Sequence, residues 1–381
     1  MDFKKIFIKD ACPTKIGGQA VLEGIMMKGD DRTAVVVRDE KNRLYIKTEK
    51  LPKRSKAAEI PIVRGVYIFV TTLMTGMRTL IYSAEILEKL AEEEEEDAQP
   101  VTEQMITEQP DSVKAAEKTD KKKKEEGGLP FGVMIAFSVA IAIAFVVGVF
   151  IIVPTVAVNF LGAYTDSAVA LNIFEGVLRI IFFVVYIVVI SRMKEIQTTF
   201  EYHGAEHKTI HCFESGLPLT PANASGFETL HPRCGTSFLM FVMIIALLLF
   251  SLLGWPDLAM RILSRIVLIP LIAGLSFELL RYAGRSDTLL VRILSVPGLL
   301  LQKLTTRNPD DAQLELAIAA LKAVIVEEDT PEIEGFCDTD GTLLPEIHTI
   351  EDSAKSQNEQ DEQGEAGELN GQNELNAQEN Q

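Results

Sequence analysis

The chain has 381 residues, 47% of them hydrophobic, with a mean hydropathy of +0.17 and a formal net charge of −17. So apolar a chain carrying 24% charged residues points away from an ordinary soluble protein and toward membrane spans. From residue 327 to the end there are 17 acidic residues against one lysine, so the rest is near neutral, offers no basic face to a phosphate backbone, and excludes nucleic acid as a partner.

Residues 1–10 alternate charged and single apolar residues without a continuous apolar core, so no secretory signal peptide is expected and insertion would use an internal span. Cys12, Cys212, Cys234 and Cys337 are too scattered for a disulfide framework, which fits a reducing cytoplasmic side. Residues 11–61 read as a small cytoplasmic module. It opens with Gly17-Gly18-Gln19-Ala20-Val21-Leu22-Glu23-Gly24, where glycines stand at turn-like spacing. That stretch is either a backbone nest with Glu23 as a site carboxylate or a tight turn with a solvated glutamate. Residues 33–38 and 43–48 are β-branched runs separated by Asp39-Glu40-Lys41-Asn42, the pattern of a β-hairpin. A lone hairpin is marginal in water, so it must pack on more of the molecule, the glycine-rich stretch first.

Residues 62–91 are apolar but interrupted by Arg64, Arg78 and Glu85, which suits an interfacial or re-entrant helix better than a span of about 20 residues. Residues 92–128 collapse into charge runs, Glu92 to Glu96 and Lys121 to Lys124, and read as a disordered linker. Within 129–285, four apolar runs at 133–158, 171–190, 238–253 and 262–280 predict four transmembrane helices. Lys121 to Lys124, Arg192, Lys194, Lys208, Arg233, Arg281 and Arg285 flank one set of ends, which places both termini in the cytoplasm; Arg261 and Arg265 run against that pattern. Arg179, inside the second run, must face a partner rather than lipid.

Residues 286–326 read as amphipathic helices at the membrane surface. A break is expected at Pro297-Gly298, and a further helix from Asn308-Pro309 carries Leu314, Ile318, Leu321 and Ile325 at helical spacing. Residues 327–381 are acidic and rich in Gln and Asn, and read as a disordered tail. The fold class is therefore an all-α polytopic integral membrane protein with about four transmembrane helices, a small N-terminal β-hairpin module and a disordered acidic tail. Its expected place is the inner (plasma) membrane of a cell, with the lipid bilayer as its constant partner.

The chemistry gathers at 192–236, the connection between the second and third apolar runs. Four of the five histidines, His203, His207, His211 and His231, lie there. In His203-x-x-Glu206-His207 the two imidazoles stack on one helical face, with the glutamate about 60° from the first. This is the inverted zincin spacing, in which both histidines ligate Zn2+ and the glutamate serves as general base. Catalytic zinc takes three protein ligands, so a third is needed. His231 and Cys234, in a His-Pro-x-Cys-Gly turn, are the nearest candidates, and Glu278 is the distant one, with Arg281 as its bland alternative partner. His211 extends the histidine face, and a closed structural zinc could draw on His207, His211, His231 and Cys234. Cys212 beside His211 is a weaker nucleophile candidate, because adjacent helical residues face different ways.

The segments 17–29, 201–214, 231–237 and Leu304-Thr305-Thr306-Arg307-Asn308-Pro309 resemble the YqhQ family of bacterial membrane proteins, over about residues 13 to 325. The resemblance implies a polytopic inner-membrane protein, described as a predicted metal-dependent enzyme, with no established substrate. It matches at His203, Glu206, His207, His231 and Cys234 and assigns none of them a role. Two functions follow as expectations. One is a zinc-dependent, peptidase-like hydrolase on the cytoplasmic face, acting on a membrane protein or peptide with Glu206 as base. The other is a non-enzymatic membrane scaffold or assembly factor with a structural metal site or none. A transporter is disfavoured, since the spans hold few charges and no inverted repeat.

Overall fold

The computed structural model describes residues 6–8, 12–52, 60–97, 131–161, 164–165, 167–254, 256–283, 288–326 and 330–338. Five strands, β1 (Gly17–Val21), β2 (Gly24–Lys28), β3 (Arg32–Arg38), β4 (Leu44–Lys50) and β5 (Glu334–Cys337), form one antiparallel sheet in that order. The helices are α1 (Val63–Asp97), α2 (Phe131–Val147), α3 (Val153–Leu161), α4 (Ala168–Ile190), α5 (Lys194–Glu214), α6 (Pro221–Ser225), α7 (Gly235–Ser251), α8 (Leu258–Ala283), α9 (Leu289–Thr305) and α10 (Asp311–Val324).

The expected hairpin is β3–β4, closed by the pair Arg38 and Leu44. Asp39 holds its turn by accepting from the Arg43 amide at 2.6 Å. The glycine-rich stretch continues the sheet as β2 and β1, whose two-residue turn puts Glu23 at a positive φ of 45°. Glu23 is therefore an exposed turn residue rather than a site carboxylate. The class is thus corrected from all-α to helical with a five-stranded sheet.

The tail expected to lack structure from residue 327 supplies β5, where Phe336 sets its ring edge-on to Tyr45 and holds the Arg43 guanidinium 4.3 Å from its ring centroid. Residues 339–381, and 98–128 of the expected linker, lie outside the described residues, while 92–97 continue α1.

Alternation along the strands gives the sheet two apolar faces. Ile25, Met27, Ala34, Val36 and Ile46 pack on Tyr202, Ala205 and Ile210 of α5 and on Leu314, Ala317 and Leu321 of α10. Val21, Met26, Val35 and Val37 pack on Ile86 and Leu90 of α1. α1 is one unbroken helix of 35 residues. Its start lies on α8, where Gly65 meets Gly274 and no Cβ intervenes. α10 begins at the Asp310 cap with a capping box to Gln313, two residues later than Asn308-Pro309 suggests. α9 runs through Pro297 as one helix.

Among the described residues, three stretches are long and apolar enough to cross a membrane: Phe137–Phe160, Ala168–Ile190 and Ala259–Ala283. The first joins α2 and α3 through a π-helical turn at Gly148–Ile152. The third of the four expected spans, α7, is apolar but has 17 residues. At 1.5 Å per residue it measures about 26 Å, short of a hydrocarbon core of about 30 Å. Arg179 and Arg265 both reach Glu175, which is 1% exposed and also accepts from Thr155 Oγ1 at 2.6 Å. Charges inside apolar helices persist when paired in this way.

Candidate metal centre

α5 presents His203, Glu206 and His207 on the side that faces the 229–234 loop, the end of α9 and strand β1. The helix continues through the site because its polar groups find partners off the helix. The His203 Nδ1 is 2.8 Å from the Thr305 carbonyl oxygen, and the His207 Nδ1 bonds the Thr229 carbonyl. A carbonyl can only accept, so both Nδ1 atoms carry a proton, and Nε2 is the atom of each ring turned toward the other side chains. His203 Nε2 lies 3.1 Å from Cys234 Sγ. His207 Nε2 is buried with no hydrogen-bond partner. The ligand atoms of His203, His207 and Cys234 all lie within 4.8 Å of one another.

The backbone brings these groups together by close approach. At Gly204 a Cβ would overlap the Arg307 carbonyl oxygen, so only glycine lets the 305–307 segment lie on α5 and place the Thr305 carbonyl under His203. Arg307 in turn donates its amide to Phe200 O at 2.9 Å and its guanidinium to Ser191 O at 3.1 Å. Cys234 caps α7, accepting from the Thr236 amide. Gln302 of α9 is fully buried and clamps the loop: it accepts from the His231 amide at 2.8 Å and donates to His231 O and Ser237 Oγ at 2.9 Å.

Glu206 is 5% exposed and accepts from the Gly18 amide at 2.7 Å. Burial pushes its carboxyl up, and the adjacent His207 and His203 pull it down less. A carboxylate made more basic in this way is suited to accept a proton near neutral pH. Burial opposes charge on His203, but the neighbouring Cys234 sulfur outweighs it and lifts the imidazole to about 9. The Cys234 thiol goes the other way. Burial disfavours its thiolate, yet His203 and His207 hold it well below the usual thiol range. The same donors that stabilise a thiolate among imidazoles suit a divalent cation.

The other expected ligands are not in this group. His231 is buried, held near neutrality by burial and by His211, and its Nδ1 accepts from the Arg233 amide at 3.4 Å. His211 donates Nε2–H to Leu230 O at 3.0 Å and stacks near His231, with ring centroids 4.7 Å apart. Both pack beside α5, outside the group of His203, His207 and Cys234. Glu278 stands apart from it as well, since its carboxylate is taken by the Arg64 guanidinium through two hydrogen bonds, with Nε at 2.6 Å, which ties α8 to the start of α1. Cys212 is buried beside Pro218 O at 3.6 Å, and burial pushes its thiol up, against a nucleophilic role.

The supports missed in the sequence are main-chain groups: the carbonyls of Thr229 and Thr305 and the amide of Gly18. A backbone atom leaves no residue-type signal. The glycines at 18 and 204 and the run 304–309 were the available traces.

A family model described as protein of unknown function (DUF1385) matches residues 60–327. The uncharacterized protein YqhQ of Bacillus subtilis (strain 168) is 30% identical over 325 residues, covering 83% of this chain and 94% of that protein. No solved structure matches. With the model spanning most of its length and this relative aligned almost end to end, the chain belongs to the YqhQ family, proteins of unknown function described as DUF1385.

Proposed function

We propose that the chain is a membrane-integral, zinc-dependent hydrolase whose site opens on the cytoplasmic side, with His203, His207 and Cys234 as the ligands and Glu206 as the base. The observation that carries this reading is the buried, unpartnered His207 Nε2, aimed by its Nδ1 bond at the same space as His203 Nε2 and Cys234 Sγ. Leaving a buried imidazole nitrogen without a partner costs about 1–3 kcal/mol, and a cation removes that cost. Two imidazoles and a thiolate suit Zn2+, and three protein donors leave one position for water, the pattern of catalytic rather than structural zinc. When bound there, the ion would supply Lewis acidity and a more acidic water.

The chain's own residues then have distinct tasks. Thr305 O and Thr229 O fix the imidazole tautomers. Gly18 N–H steadies Glu206 Oε1 and leaves Oε2 to take the proton as water adds to an amide or ester carbonyl. The same carboxyl returns that proton to the departing nitrogen or oxygen, so the products are a carboxylic acid and an amine or alcohol.

Four spans, with α7 as the fourth, and both termini in the cytoplasm belong to this reading. They place the site at the cytoplasmic ends of α4 and α7, beside any substrate held in the bilayer. The rival reading, a scaffold with a structural metal, draws on the burial of His207 and Cys234, 1% and 9% exposed.

Elemental analysis of the detergent-purified protein tests the reading. About one zinc per chain is expected, lost in His203→Ala/His207→Ala. Glu206→Gln should keep the zinc and lose hydrolysis of unstructured polypeptide by at least about a hundredfold. Wild-type protein without metal overturns the proposal, and full turnover by Glu206→Gln removes the base.

A further inference from the structure

β1 stands at the end of the strand order, so one of its edges has no strand beside it among the described residues. Its residues 17 to 21 pair with residues 28 to 24 of β2 in antiparallel register. In such a pair, alternate residues direct both main-chain groups at the partner strand and the others direct both away. The Gly18 amide goes to Glu206 and not to β2, which sets the parity. Ala20, two residues on, turns the same way, so its N–H and C=O and the C=O of Gly18 point along the open edge. Nothing lies within 4 Å of a Cβ built on Gly17, so the sheet face is uncovered at the start of the strand. At Gly18 a Cβ would sit 2.6 Å from Met26 O and 3.0 Å from the Glu206 carboxyl carbon, so that position must be glycine for the carboxylate to reach the strand.

The edge runs between two helices. α5 overhangs it through Glu206, and α1 borders it where Gln19 Nε2 donates to Gly76 O at 3.3 Å and the Leu22 amide donates to Ser83 Oγ at 3.3 Å. The strand edge thus lies between α5 and α1, with the proposed metal centre at its Gly18 end.

We propose that this edge binds substrate as an extended polypeptide, which adds to the sheet as an antiparallel strand against Gly18 and Ala20 and so selects unfolded peptide segments over folded domains. The inference rests on the hydrolase reading and names its substrate class. Ala20 exchanges two main-chain hydrogen bonds with the peptide residue opposite. At Gly18 only the C=O is on offer, because the N–H belongs to Glu206. The peptide residue opposite Gly18 is therefore the one whose carbonyl is left over for the metal centre, and hydrolysis falls at that residue. Main-chain pairing makes recognition depend on an extended backbone and little on side-chain sequence.

Binding and turnover are measured separately on the zinc-loaded full chain in detergent, with fluorescent, reduced and carboxymethylated α-lactalbumin as the unfolded probe. Ala20→Pro removes an outward amide without breaking a bond to β2, which an edge strand tolerates. Its binding should weaken about fivefold to tenfold, the effect of one lost hydrogen bond, at unchanged zinc content and melting temperature. Wild-type binding by the variant overturns the proposal.

A second measurement leaves the protein untouched, in case the variant fails to fold. A random decapeptide pool N-methylated at every amide has no main-chain donor for that edge, and should bind at least about tenfold more weakly than the unmethylated pool. Equal binding of the two pools, or no binding of the unfolded probe, overturns the edge. Turnover together with equal binding leaves the hydrolase standing and removes the edge. Binding that is sensitive to both changes without turnover leaves the edge standing and removes the hydrolase.

Discussion

The side chains of α5 differ in what their environment asks of them. His203 and His207 have a carbonyl behind and a shared space in front, whereas His211 has a carbonyl on Nε2 and a buried, packed setting. Burial, aided by His207 and Arg233 and opposed by the Leu230 carbonyl and Glu214, lowers the His211 imidazole to about 4. Its neutral form is thus the folded form, while the unfolded chain gains a proton near the ordinary value of about 6.5. Stability present above that value is lost as pH falls toward about 4, because the unfolded state binds more protons across that window. For His211 alone this is about 2 kcal/mol between pH 7 and pH 5, and His231, lowered in the same direction, steepens it. Denaturant melts at the two pH values should show the loss, and His211→Gln should reduce the slope. A flat profile would mean that the histidine cluster is not buried neutral.

At the scale of elements, β5 shows how a segment's composition and its placement can disagree. Residues 327–338 are acidic, as a solvated tail would be, yet Ile333, Phe336 and Cys337 are spaced to pair with β4 and cover its end. Four register pairs, the Tyr45–Phe336 ring contact and the Tyr82 hydroxyl on Glu334 at 2.9 Å secure the strand. A chain ending after Val326 should melt several degrees lower than the full chain, since a few lost contacts of about 1 kcal/mol each shift a protein of this size by roughly 2–4 °C apiece. A chain ending after Asp338 should melt as the full chain does. Scanning calorimetry of both truncations decides whether β5 belongs to the folded body. The hairpin β3–β4 and the amphipathic α10 were legible beforehand, the first from β-branched runs about a loop and the second from its 3.6-residue period, because each pattern repeats within a few residues. β1, β2 and β5 were not, because short glycine-bearing or acidic strands carry no pattern of their own and form by pairing with neighbours.

Across the whole molecule, the apolar helices and the sheet meet at the candidate metal centre, while the charges within the apolar helices collect at the far end. Glu175, Arg179 and Arg265 come from α4 and α8 and join Thr155 of α3, so they bind the candidate spans to one another. Removing one partner of a buried ion pair strands the others in a low-dielectric setting. Glu175→Gln should therefore lower stability by about 3 kcal/mol, read as a lower melting temperature and less protein recovered from the membrane fraction. Adding Arg265→Gln should regain part of that loss, since the two positions are coupled. If the double variant is no better than the single, the three charges do not act as one network.

The sequence by itself determined the family, the run of apolar helices, and the pair His203 and His207 with Glu206 between them, because these depend on hydropathy and on spacing within one helix. It left the third candidate donor open among His231, Cys234 and Glu278, and it is the fold that brings Cys234 to His203. Gln302 clamps the loop so that Cys234 meets His203, His231 turns to the Arg233 amide, and Arg64 takes Glu278 for the α1–α8 junction. Those outcomes depend on groups up to 214 residues apart in the chain and on main-chain carbonyls, and neither distance nor backbone polarity is written in a residue's type.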